Sequence, residues 1–117
     1  MSTIIEKVND LNRMILAGEG LQAFDKYYHE DVVMQENENP PTIGKVANRQ
    51  NEVDFFSSIT EFRGATPLKV TVGDNTSMVE WHYDFTHKDW GVRNYKQIAV
   101  QEWKDGQIIS EKFYYSN

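Results

Sequence analysis

The chain has no cysteine, so disulfides, thiolate metal sites and a cysteine nucleophile are excluded. No run of about 18 apolar residues occurs, so no helical membrane span is expected. The opening Met1-Ser2-Thr3-Ile4-Ile5-Glu6-Lys7 lacks the basic and apolar segments of a secretory leader, and a cytoplasmic protein is expected. Basic charge is scarce. Twelve Lys and Arg face 18 Asp and Glu, for a net charge of −6, and the basic residues form no cluster. A nucleic-acid partner and an anionic membrane surface are both disfavoured. No phosphate-binding glycine loop, dinucleotide fingerprint or nucleophile elbow is present. The three histidines, His29, His82 and His87, do not share a face, so neither a metal nor another cofactor is expected. Repeats and long linkers are also missing, which points to one domain over residues 1–117.

What is present is patterned. Ile4, Val8, Leu11 and Ile15 recur at helical spacing, with Thr3 and Glu6 placed as a capping box. Gly18 and Gly20 end that helix. A short second helix is expected over residues 21–28, then a strand at Val32-Val33-Met34. A third helix is expected over residues 46–62, with Val46, Val53, Phe56 and Ile59 on its buried face and Gly64 as its stop. From residue 68 onward the chain alternates with period two. Its turns fall at residues 73–75, at 88–91 and at Asp105-Gly106. Helices first and hairpins afterwards predict an α+β domain. Thirteen per cent of residues are aromatic, enough for a few large side chains to fill much of the core.

Two stretches resemble a known family. One is Tyr28-His29-Glu30-Asp31-Val32-Val33-Met34-Gln35-Glu36, followed by Pro40-Pro41 and by Gly44 opening a helix. The other runs from Gln101-Glu102-Trp103 through Asp105-Gly106 to Phe113-Tyr114-Tyr115. Both are similar to the SnoaL-like polyketide-cyclase family of the nuclear transport factor 2-like superfamily, and the likeness spans the chain in element order. It implies three N-terminal helices packed on a strongly curved, mixed but mostly antiparallel sheet. That sheet would form a cone with an internal pocket and pair with a second copy through its outer face. It also implies a small-molecule ligand of apolar or hydroxylated type.

Ketosteroid isomerase, in the same superfamily, uses a carboxylate base with a tyrosine and a protonated aspartic acid as oxyanion donors. Carried over by position, the base falls on Glu36. The two donor positions fall on Leu11 and at or beside Ala99, which cannot donate, so that isomerase mechanism is not expected. Scytalone dehydratase uses an Asp–His pair. His82 and Asp84 lie about 7 Å apart along one strand, although they match no motif of that enzyme.

Two registers are open for the strand at residues 77–87, because a one-residue shift exchanges its faces. In the first, Glu80, His82 and Asp84 point into the pocket, while Trp81, Tyr83 and Phe85 pack outward against a partner. In the second, the aromatic set is inside and the acidic set meets solvent. The inward set on the neighbouring strands is expected to be Gln97, Ala99, Gln101 and Trp103, with Glu111, Phe113 and Tyr115. Glu111 and Gln101 are unusual in long strands otherwise rich in aromatics, and they favour the polar pocket. The candidate catalytic residues are thus Glu36, Glu111 and His82. The candidate ligand contacts are Glu80, Asp84, Gln101, Trp103, Phe113 and Tyr115. Such a pocket suits a cofactor-free isomerase, cyclase or lyase; a non-catalytic binding or dimerisation domain is the alternative.

Overall fold

The computed structural model describes residues 3–116. Thr3 starts the first helix, α1 (Ile4–Leu16), through the expected capping box. Its Oγ1 accepts from the Glu6 N–H at 3.3 Å, and the Glu6 carboxylate accepts from the Thr3 N–H at 3.2 Å. Val8, Leu11 and Met14 are its buried stripe. The second helix, α2 (Gly20–Tyr27), is latched to it by Asp10, which accepts from Lys26 at 2.8 Å, from Tyr27 and from Arg13 at 2.6 Å. Those donors, Lys26 foremost, hold the Asp10 carboxyl well below the usual carboxylate range. Gly20 sits where α2 meets α3, and a Cβ there would lie 2.7 Å from the tip of the Phe56 ring, so that partly exposed ring would have to shift.

The chain continues as β1 (Tyr28–Glu36), β2 (Thr42–Ile43), α3 (Lys45–Ser58), β3 (Ile59–Val72), β4 (Thr76–His87), β5 (Gly91–Lys104) and β6 (Gln107–Tyr115). This is α+β, with three helices and one six-stranded sheet in the order β2-β1-β6-β5-β4-β3. The sheet is mixed: β1 runs parallel to β6 and every other pair is antiparallel. It is not closed, since β2 and β3 remain as edges. Three register shifts between β3 and β4 mark bulges, which bend a strand and increase its twist. Asp105 and Gly106 both take positive φ, 53° and 80°, as a two-residue hairpin turn demands.

The core lies between α1, α2 and the inner sheet face. Val8, Leu11, Val32, Val79 and Ile108 are essentially sealed from solvent there. Each such side chain contributes about 1.5–3 kcal/mol by burial.

Two expectations need correction. The helix expected over residues 46–62 ends at Ser58, and residues 59–62 begin β3. Its expected buried face fails at Val46, 84% exposed, and at Phe56, 39% exposed, while Val53 and Ile59 are half-buried. The inward stripe is instead Asn48, Glu52 and Phe55, at i, i+4 and i+7. That stripe is polar because it faces a cavity and not the apolar core. Asn48 anchors it by donating to the Gly44 carbonyl at 2.8 Å and the Thr42 carbonyl at 3.0 Å.

Candidate functional site

Directly paired residues of antiparallel strands share a face, so the inner face can be read as rows. Ser77 pairs with Gln101, which pairs with Glu111. Val79 pairs with Ala99 and then Phe113. Trp81 pairs with Gln97 and then Tyr115, and Tyr83 pairs with Tyr95. Opposite this face stands α3. Between them lies an open cavity of about 1600 Å³, running out to exposed residues such as Pro40, Glu61 and Trp90.

The deepest row is polar, and its groups satisfy one another. Trp103 Nε1 donates to Ser77 Oγ at 2.8 Å, and Ser77 donates to Gln101 Oε1 at 2.6 Å. Gln101 Nε2 donates to Glu111 Oε2 at 2.8 Å, and the Tyr28 hydroxyl donates to Glu111 Oε1. Glu111 is only 3% exposed. Burial lifts its pKa to about 7, against the downward pull of the Tyr28 and Gln101 hydrogen bonds. Burial also pushes the Tyr28 phenol well above its ordinary value, with the Glu111 charge adding to the effect.

Glu52 reaches the same cavity from α3. Desolvation first, then the charges of Glu111 and Glu36, raise its pKa to about 8. It keeps some accessible surface because it fronts the cavity. Glu36, at the end of β1, is exposed nearer the mouth and is hydrogen-bonded by Tyr115. An aromatic wall connects these carboxyls. Trp81 stacks on Tyr83 at 5.4 Å, Tyr83 meets Tyr95 at 5.8 Å, and Tyr95 meets Tyr115 at 5.5 Å. Burial raises the Tyr95 phenol to about 12. At the mouth His87 stacks on Trp90 at 3.7 Å, and its Nδ1 accepts from the Asp89 N–H at 3.1 Å. No grouping of three or more His, Asp or Glu able to hold a metal occurs among the described residues.

A family model for the SnoaL-like domain matches residues 4–115. The chain belongs to the SnoaL-like family. The fold agrees: a candidate SnoaL-like polyketide cyclase from Mesorhizobium loti superposes with a TM-score of 0.87 at 26% identity, over 97% of this chain and 100% of that one. A candidate isomerase from Bacillus subtilis gives 0.79 at 20% identity, over 98% and 90%. A nuclear transport factor 2-like protein of unknown function from Burkholderia xenovorans gives 0.76 at 16%, over 97% and 83%. The last two speak to the fold alone. No curated protein matches the sequence at a significant level.

Within this SnoaL-like domain, Glu36, Gln101, Glu111, Phe113 and Tyr115 come together on the cavity wall. The other expected residues do not. The register of β4 is the second one: Trp81, Tyr83 and Phe85 are inside, and the polar-pocket placement of Glu80, His82 and Asp84 is overturned. Pairing is the reason. Glu80 stands beside Ile98, His82 beside Lys96 and Asp84 beside Asn94, all on the face opposite Gln97, Ala99 and Gln101. There His82 Nε2 hydrogen-bonds Asn94 Oδ1 at 2.6 Å, and Asp84 is bridged by Arg63 at 2.8 Å. Trp103 is also displaced: it is buried against Tyr27 and anchors the polar row from outside the cavity. Glu52 was missed. The one signal for it was the i, i+4, i+7 spacing of Asn48, Glu52 and Phe55, hidden because the stripe is not apolar.

Proposed function

We propose that this SnoaL-like protein binds a small molecule in the cavity and moves a proton on it, as an isomerase, cyclase or lyase without a cofactor. The observation that carries this reading is the pair Glu52 and Glu111, two carboxyls on opposite walls of one aromatic-lined cavity. With values of about 8 and 7, each is populated in both protonation states near neutral pH. Carboxyls poised in this way serve general acid–base catalysis, which contributes about 10²–10⁴-fold. One carboxylate takes a proton from a carbon beside a carbonyl, and a protonated carboxyl returns one to another atom of the same molecule. Glu36, at the position the family resemblance marks for a base, is the third participant. The Tyr28 and Gln101 hydrogen bonds fix where the Glu111 oxygens point.

Leu11 and Ala99 on the same wall favour a second reading, binding without chemistry, because neither can stabilise an oxyanion. Deuterium exchange separates the two. With 2-tetralone in D₂O, NMR should show α-proton exchange well above the buffer rate, lost in a Glu52→Gln, Glu111→Gln double variant. Exchange at the buffer rate across a panel of cyclic ketones would leave binding only. The expected homodimer belongs to the same proposal. Met78, Ile98 and Tyr114 leave apolar surface on the outer face, with Ile98 and Tyr114 directly paired. Sedimentation returning a monomer at tens of micromolar would remove that part.

A further inference from the structure

The charges on the cavity wall are unbalanced. Glu36, Glu52 and Glu111 come from three different elements, and Asp54, Glu61 and Asp89 lie on the same wall. Among the described residues Arg93 is the one Lys or Arg that lines it, and its guanidinium lies over the Tyr95 ring at 4.8 Å. An anionic ligand would meet repulsion nearly everywhere.

A second observation does not depend on charge: the continuous aromatic wall of Trp81, Tyr83, Tyr95 and Tyr115, whose ring faces attract cations.

We infer that the ligand of this cavity is a small ring compound carrying a protonated amine, held between the carboxyls of Glu52 and Glu111 and the tyrosine wall. This rests on reading the cavity as a small-molecule site, and it names the ligand's charge. An ammonium neutralises carboxyls that repel one another when ionised. The charges acting on Glu52 are Glu111 from β6 and Glu36 from β1; Tyr28 at the α2–β1 junction and Tyr83 on β4 feel the Glu52 charge in turn, and Arg93 on β5 is the wall's cation. Bringing a cation among them drives ionisation. Binding therefore expels a proton and leaves a carboxylate base beside the ligand.

The test compares three probes on one ring skeleton: 2-aminotetralin, 2-tetralol and tetralin-2-carboxylate. Titration calorimetry at pH 8.5 should rank the amine at least about tenfold tighter than the alcohol, with the carboxylate weakest. At pH 7.5, calorimetry in two buffers of different ionisation enthalpy should show close to one proton released per amine bound, and none for the alcohol. Glu52→Gln, with folding checked by circular dichroism, should cost the amine about tenfold and change alcohol binding less than twofold. An alcohol that binds as tightly as the amine, a preference for the carboxylate, or no binding by any of the three overturns the inference. Ketone exchange reads the proton-transfer proposal separately. Either result can fail while the other stands.

Discussion

Replacing Glu52 by Gln should stabilise the protein, and only at high pH. In the unfolded chain the carboxyl titrates near its ordinary value of 4.5, and in the fold near 8. Between those values the folded state holds a proton that the unfolded state has released. Wild-type stability therefore falls as pH rises through this window and levels off above it. The gap is about 3.5 pH units, and at about 1.4 kcal/mol per unit the ceiling is about 5 kcal/mol. The cavity admits water, which screens the penalty, so a realised gain of about 2–3 kcal/mol is expected. Glutamine is nearly isosteric and carries no charge, so the variant escapes this loss. Urea unfolding followed by circular dichroism should place the two proteins within about 0.5 kcal/mol at pH 5. At pH 8.5 the variant should lead by the full margin, with a melting temperature higher by about 10 °C. An equal margin at both pH values, or none at pH 8.5, would refute the account of Glu52 as a desolvated carboxyl among like charges.

Tyr28→Phe removes the donor to Glu111 Oε1; urea unfolding should show a loss of about 1–3 kcal/mol, and the Glu111 midpoint should move further up. Gly20→Ala places a Cβ against the tip of the partly exposed Phe56 ring, which can swing aside, and thermal melts should report a change of no more than about 1 kcal/mol. His82→Ala lies on the outer face and should change stability by no more than about 0.5 kcal/mol. It should also change amine binding less than twofold; a tenfold loss would favour the opposite register of β4.

The legible parts of the sequence were those governed by local chemistry. The Thr3–Glu6 box, the stripe through Val8 and Leu11, and the Asp105-Gly106 turn each follow from a short-range rule, and each is realised. The face of β4 is different in kind, because strict alternation offers two equivalent faces. Only pairing to β5 chooses, and it ties Ser77, Val79 and Trp81 to Gln101, Ala99 and Gln97. The expected polar pocket put Glu80 on the same face as Gln101, which that pairing forbids. Helix α3 failed for another reason. Hydrophobic periodicity finds faces that bury against a core, whereas α3 turns Asn48, Glu52 and Phe55 toward a cavity. Glu111 was legible because a carboxylate stood among aromatics in a strand. Its partner Tyr28 was not, for it comes from the distant α2–β1 junction.

The central claim is that two carboxyls inside the cavity titrate far above the ordinary range. Carbon-13 NMR of the glutamate side-chain carboxyls, followed from pH 3 to pH 10, tests it directly. Glu111 should show its midpoint near 7 and Glu52 near 8, each assigned by loss of its signal in the glutamine variant. Midpoints near 4.5 for both would contradict the account.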